Sequence, residues 1–557
     1  MTSTFQSPKT ASLLGLWILT ACAPTEAEGP WLVTRPAAAG RASFGNVSRP
    51  VSTEQRLQGP LAPAPGAFAE WEVGSGQGWS ARRIPLDQEG GATSVELDSD
   101  PEAIRSAARL YTRRDTAERF SVVWIVLDTV RADYLGCYGH DRPTSPRIDA
   151  LAREGLVFER AVSPASWTLP AVASMLTGLY AESHGVLHTE HKLGPGALSF
   201  VEVLAGAGYT TGAVVSGTFT DSFWGFDQGF DEYDDLGMVV DDAVGGSTEI
   251  AAMEARAHRR VTSPEVTGRA LDFLERNQDR RFFLLAHYFD PHQDFVEHAG
   301  FSERFGPRPA ADGRFGRYDP DPAATARLRG LYEGEIAFTD HHIGRLLERL
   351  SDAPFAENVV VVITADHGEE FYERQWLGHG NTLFNELVRV PLVISVPGVA
   401  ARRVTDPVTT VDLAPTLLEL CGLGSEFGQG ESLVRLFEAA GPARAVYTSL
   451  FPSLAAEDGQ LAVQTAFRVD RDDRAAIRDE RLVGDVGELL FEWPADPLQL
   501  KNLGSQASAL PRALLELYER ERPRLIELRT SSERLELSPE ILKALRGLGY
   551  AGEDGDR

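Results

Sequence analysis

The chain has 557 residues, of which 43% are hydrophobic and 24% charged, and a formal net charge of -27 at pH 7. That length and balance give about two to four domains with sizeable cores and exclude a disordered chain. The acidic excess excludes a nucleic-acid partner, because no basic stripe is available to neutralise phosphates.

At the N-terminus Lys9 precedes an apolar run from Ala11 to Thr20. The run is too short to span a bilayer and has the length of a signal-peptide core. It ends in Leu19-Thr20-Ala21-Cys22, which resembles the lipobox of bacterial lipoproteins. That resemblance implies a signal peptide over residues 1–22 and a mature chain lipidated at Cys22. Such a chain is anchored to the membrane on the extracytoplasmic side of the envelope, and several acyl chains make the anchoring stable. An ordinary secretory signal with a chance cysteine is the alternative. Cys137 and Cys421 are then left either to pair or to stay as two buried thiols.

Residues 23–119 form a Pro/Gly-rich tether and a small N-terminal region, in which Trp71 to Arg114 alternates weakly and suggests a small β element. The main domain, 120–440, opens with SVVWIVLD, Ser121 to Asp128, a continuous apolar run of the kind buried on both faces of a parallel sheet. Similar runs recur at Thr211 to Ser216, Phe282 to Phe289, Val359 to Ala365 and Leu392 to Val396. Helical spacing falls between them, at Pro146 to Glu154, Leu198 to Ala207, Val266 to Arg276 and Ala323 to Leu350. The alternation predicts an α/β fold with a mostly parallel central sheet flanked by helices and ligands beyond the carboxyl ends of its strands. Residues 441–557 change to short alternating segments and a helix near Leu510 to Leu528, a smaller antiparallel sheet plus helix, before a terminal capped helix.

Two strand ends carry metal-type ligands, Asp128 after SVVWIVL and Asp366-His367 after VVVVITA. A buried run that ends in a carboxylate needs a cation or hydrogen bonds to satisfy it. Thr168, in ASWTLPAVASMLTG, sits where a loop turns into a helix with Pro170 in the first turn, and such a terminus suits an oxyanion. A threonine hydroxyl is a poor nucleophile unless a base or metal activates it. His292 in YFDPHQD and His379 in WLGHGNT follow sheet strands, where histidine ligates a metal, binds a substrate oxygen or protonates a leaving group.

His341 and His342 are adjacent on a helix, about 100 degrees apart, and cannot share a metal. His184, His188 and His191, in the loop after the Thr168 helix, either rim the pocket or have no role, as a loop histidine needs none. The acidic Gly225 to Asp235 lacks the spacing of a calcium loop and reads as a solvated loop. Arg131 either reaches the Asp128 site or braces its loop.

VVWIVLDTVRADYLGCYG, SPASWTLPAVASMLTGLYAESHGV, HYFDPH, ITADHGEEF, LGHGNT and VRVPLVI, in this order, resemble the sulfatase-type branch of the alkaline phosphatase superfamily from Ser121 to Pro397. The resemblance makes residues 120–440 a catalytic domain. It implies that Asp128, Thr168, Asp366 and His367 hold a divalent metal and that Thr168 is the nucleophile. It also implies that His292 and His379 contact the substrate or a second metal ion. Oxygen and imidazole donors suit zinc or manganese, with magnesium or calcium as the other candidates. True sulfatases oxidise the first residue of Cys/Ser-x-Pro-x-Arg to formylglycine. Here the run is Thr168-Leu169-Pro170-Ala171-Val172, the usual Asp-Asp is Asp128-Thr129, and the sulfate-holding lysines have no clear counterpart. Those departures resemble the Thr-nucleophile phosphoethanolamine and phosphoglycerol transferases. The expected activity is hydrolysis or transfer of an anionic phosphate ester, on a glycan or lipid, through a covalent Thr168 intermediate. Formylglycine-independent sulfate ester hydrolysis and a non-catalytic glycan-binding lipoprotein are the alternatives.

Overall fold

The computed structural model describes residues 120–450, with gaps at 188, 190, 237–259, 307–321, 375 and 443, plus isolated strands and single residues on either side. Cys22, His188 and the terminal helix lie outside the described residues. Of the helix expected from Leu510 to Leu528, Glu516 and Arg520 are described and both are helical.

The N-terminal unit contains a four-stranded antiparallel sheet ordered Trp31–Thr34, Arg109–Arg113, Phe68–Ser75, Gly78–Pro85. The β element suggested by the Trp71 to Arg114 alternation is therefore present. It also recruits Trp31–Thr34 from the stretch expected to be a tether, because WLVT is a short strand-forming run within the Pro-rich sequence.

The second unit is built on an eight-stranded sheet. Its strands are β1 (Ser121–Leu127), β2 (Leu156–Phe158), β3 (Thr210–Val214), β4 (Glu232–Asp234), β5 (Phe282–Tyr288), β6 (Val359–Ala365), β7 (Leu392–Ser395) and β8 (Arg402–Val404), in the order β4-β3-β5-β1-β6-β7-β2-β8. The first five neighbours in that order are parallel; β7 runs antiparallel to both β6 and β2. Every residue of β1, β5 and β6 is buried, as continuous apolar runs covered on both faces must be. Trp124, in the middle of β1, packs against Phe200 and Phe283 with ring centroids 5.8 and 6.4 Å away. Burying side chains of this size stabilises by about 1.5–3 kcal/mol each.

Helices α1 (Pro146–Glu154), α2 (Thr168–Thr177), α3 (Ser263–Asn277) and α4 (Pro322–Leu350) connect or cover these strands. α2 is buried along its whole length, consistent with a sequence apolar or small on every side. It ends at Gly178, whose φ of 64 closes the last turn with a bond to the Ser174 carbonyl. α4 carries Asp340, which accepts backbone N–H bonds from Arg147 and Ile148 and so caps α1 from a distance.

The acidic segment from Gly225 to Asp235 is not a solvated loop. Phe226, Phe230 and Tyr233 are buried, and Glu232–Asp234 adds β4 to the edge of the sheet. The aromatics in GFDQGFDEYDD supply the apolar alternation that a count of its carboxylates hides.

Beyond the sheet, Ala445–Leu450, Ala466–Arg471, Arg474–Asp479 and Glu488–Glu492 form the smaller antiparallel sheet. Val446, Leu450 and Ile477 from it share a core cluster with Leu383, Phe384 and Leu387. Arg468 fastens the same contact with bonds to the Leu383 carbonyl and Asn385 Oδ1. The segment that follows His379 is thus held by the C-terminal sheet.

Candidate active site

The parallel register sets the geometry. Leu127 of β1 is aligned with Tyr288 of β5 and Ala365 of β6, so Asp128 and Asp366 leave the sheet at one level. Thr129, the next residue, has a φ of 56, a left-handed conformation costly for a β-branched side chain. Three bonds hold it there: its N–H to Asp366 Oδ1 (3.2 Å), its hydroxyl to the Pro291 carbonyl (3.1 Å), and the Tyr332 hydroxyl to its own carbonyl (2.8 Å). Asp366 Oδ1 also accepts the His367 N–H at 2.8 Å. One oxygen of Asp366 is thereby fixed, and Oδ2 has no hydrogen-bond partner among the described residues.

Thr168 opens α2 with 3% of its surface exposed, and its Oγ1 lies 3.1 Å from His367 Nε2. His367 Nδ1 donates to the Gly368 carbonyl at 2.9 Å, which leaves Nε2 as the lone-pair side of the neutral ring. That nitrogen is 3.4 Å from Asp366 Oδ2 and 3.8 Å from Asp128 Oδ1. Burial pushes the His367 imidazole below its ordinary value, against the upward pull of Asp366.

His287, inside β5, was not singled out in the sequence because it sits within an apolar strand. Its Nε2 lies 3.5 Å from Asp128 Oδ2. Asp128, His287 and Asp366 offer donor atoms all within 4.8 Å of one another, each on a buried residue. Donors sharing a cation through bonds of about 2.1 Å sit roughly 3.0–3.4 Å apart, close to the 3.4, 3.5 and 3.8 Å that separate the imidazole nitrogens of His367 and His287 from the two carboxylates. Two buried carboxylates facing two imidazoles therefore make a donor set that fits a divalent cation.

His379 and His292 complete the cluster. The His379 ring is 4.5 Å from that of His367 and 4.8 Å from that of His292, while Nδ1 of His379 meets Glu369 Oε1 at 3.0 Å. His292 stacks on Phe289 at 4.5 Å and borders a cavity with Arg260, Asp290, His298 and Glu335. The Gly380 N–H binds the Ser166 carbonyl at 2.8 Å, tying the His379 loop to the residues just before Thr168. All six residues read from the sequence, Asp128, Thr168, His292, Asp366, His367 and His379, therefore lie in one buried cluster. The His292 and His379 pair is not part of any group of three or more metal-type donors among the described residues. Glu369 and Thr129 are the other residues the sequence reading missed.

The remaining candidates are structural. Arg131 is buried against Asp133 and Glu373 and binds the Glu369 carbonyl at 3.0 Å, so it braces the loop. His184 is buried and bonded to Ser174 Oγ at 2.9 Å, so it does not rim the site. His341 lies tilted against Phe301 and His342 edge-on to Phe338, with ring centroids 5.5 and 4.6 Å apart. Cys137 and Cys421 are not joined in a disulfide; Cys421 is buried and Cys137 only partly so. Val172, where the formylglycine motif has arginine, borders an apolar cavity with Met175 and Leu176, surroundings that would leave a guanidinium unpaired.

The family model described as Sulfatase matches residues 121–423. The uncharacterized sulfatase YidJ of Escherichia coli strain K12 is 25% identical over 366 residues, 58% of this chain and 72% of that protein. Human arylsulfatase A is 26% identical over 467 residues, covering 72% of this chain and 86% of its own length. Among solved structures, the phosphonate monoester hydrolase of Agrobacterium radiobacter superposes with a TM-score of 0.60 at 19% identity, over 76% of this chain and 99% of that one. The chain belongs to the sulfatase family, within the alkaline phosphatase superfamily, and is a hydrolase of that superfamily.

Proposed function

We propose that the chain is a metal-dependent esterase for anionic esters, phosphate mono- and diesters above all, that carries the transferred group on Thr168. The observation that carries this reading is the 3.1 Å approach of Thr168 Oγ1 to His367 Nε2, beside the carboxylates of Asp128 and Asp366. Those four residues would hold the divalent cation, zinc or manganese by donor type. When bound, the cation supplies a Lewis acid that lowers the pKa of the threonine hydroxyl and offsets charge on the ester oxygens.

Thr168, its hydroxyl proton lost to solvent, would attack the phosphorus in line, forming the Oγ–P bond as the bond to the leaving oxygen breaks. Backbone N–H groups at the start of α2 would face the equatorial oxygens. His292 and His379 would bind ester oxygens and give a proton to the leaving one. Water then attacks the phospho-threonine, or another acceptor takes the group, and the hydroxyl is restored. With a formal net charge of -27 at pH 7 the chain as a whole does not draw an anionic substrate in, and attraction must come from the cation site itself.

A second reading, sulfate ester hydrolysis through the same threonine, is favoured by relatives that are named as sulfatases. Thr168 cannot form the formylglycine aldehyde, so this route also needs the hydroxyl itself as nucleophile. An extracytoplasmic enzyme tethered through lipidated Cys22, meeting its ester on a glycan or lipid, is the setting this reading implies.

The test is a panel of aryl phosphate, bis-aryl phosphate and aryl sulfate substrates, with zinc, manganese, magnesium and calcium added back singly. Turnover of the phosphorus esters by the wild type and none by T168A supports the proposal. Equal turnover by both proteins overturns it.

A further inference from the structure

We infer that His287 is itself a protein ligand of the cation, and that it makes the site select a nitrogen-accepting metal over calcium or magnesium. The inference rests on reading Asp128, Asp366 and His367 as a metal site. It adds to that site a residue from inside a strand, one register step below the strand ends.

His287 Nδ1 lies 2.7 Å from the Ser216 carbonyl. A carbonyl only accepts, so Nδ1 carries the proton and the neutral ring turns the bare lone pair of Nε2 the other way. Ser216 is itself held, because its hydroxyl donates to the His287 carbonyl at 2.8 Å and accepts the Phe289 N–H at 3.1 Å. The ring orientation is therefore fixed by the same kind of outer bond that orients metal-binding histidines.

Nε2 of His287 has no hydrogen-bond partner among the described residues, the residue is 2% exposed, and Asp128 Oδ2 lies 3.5 Å from it. A lone pair facing a carboxylate with no proton between them is repulsive, and burial leaves no water to relieve it. Asp366 Oδ2 has no hydrogen-bond partner among the described residues either, and Asp366 and His287 each offer a donor atom within 4.8 Å of the other's. A cation between them satisfies both atoms at once. On its other side His287 borders a mostly apolar cavity with Trp124, Met175 and Leu285, and the two hydroxyls that also line it, Thr220 and Tyr233, donate their protons to the Gly217 and Thr220 carbonyls. With His367, the donor set then has two imidazoles, which zinc, cobalt and manganese accept and which calcium and magnesium, taking oxygen ligands, do not favour.

Metal-free wild type, H287A and the near-isosteric H287Q are titrated with cobalt(II), reading both the dissociation constant and the visible absorption of bound cobalt. Calcium competition is measured in parallel, and the melting temperature of each metal-free protein controls for folding. Cobalt binding weakened by at least about tenfold in both variants, with a shifted absorption band and reduced preference over calcium, is the expected result. Equal affinity and an unchanged cobalt spectrum in wild type and H287Q overturn the inference while the metal site stands. A folded wild type that takes up no cobalt overturns the inference and the metal reading together.

Discussion

Thr168 Oγ1 and His367 Nε2 meet at 3.1 Å although 199 residues separate them in the chain. The contact exists because α2 begins where β1 and β6 end, and because neither side chain has solvent to turn to. If the threonine hydroxyl is the attacking group, T168A lowers kcat by on the order of 10⁴ or more, while T168S keeps a measurable rate. Steady-state kinetics on an aryl phosphate measure this, and a T168A enzyme within tenfold of wild type contradicts it.

Glu369 accepts the Nδ1 proton of His379 at 3.0 Å, and so sets which nitrogen of that ring faces the cluster. E369Q is expected to lower kcat by about tenfold or more with the metal content of the purified protein unchanged. Metal analysis beside kinetics separates this from damage to the cation site: loss of metal, or an unaffected kcat, sinks the positioning role.

Gly368 lies between His367 and Glu369 with no room for a side chain. A Cβ there would stand 2.1 Å from the Glu386 carbonyl oxygen and 3.0 Å from Arg131 Cγ. G368A must separate these segments, at a cost of about 1–3 kcal/mol, and displaces His367 as it does so. A lowered melting temperature together with a lowered kcat/KM is expected; an enzyme unchanged in both shows the backbone to be free to move.

Asp340 is buried where it caps α1, and burial pushes its carboxyl up to about 7 despite the bonds from Ile148 and Arg147. Because the folded value lies above the ordinary 3.8, the stability this group lends is full below that pH. It is lost progressively as pH rises through about 7. D340N, which does not titrate, is expected to remove that part of the pH dependence. The difference in melting temperature between wild type and D340N should shift against the wild type from about pH 4 to about pH 7. A difference independent of pH contradicts the assignment.

The architecture was legible in the sequence because its determinants are local. β1, β5 and β6 are unbroken apolar runs, and the long spacing pattern from Ala323 to Leu350 became one helix, Pro322–Leu350. Asp128, Asp366 and His367 were legible because a polar residue closing such a run is conspicuous. His287 was not, since a histidine inside FFLLAHY reads as core until the register sets it beside Asp128. Thr129 was invisible for a related reason: its left-handed backbone is imposed by Asp366, Pro291 and Tyr332, all more than 160 residues away. β4 was hidden by its charge, because four acidic residues from Asp231 to Asp235 mask the buried Tyr233.

Rapid acid quench during turnover of a phosphate ester, followed by mass spectrometry of the peptide that carries Thr168, tests the central claim most directly. A phosphoryl group on Thr168, present during turnover and absent from wild type without substrate and from T168A with it, is the expected result. Turnover with Thr168 unmodified at every quench time, and the phosphoryl oxygen delivered straight from water, would contradict it.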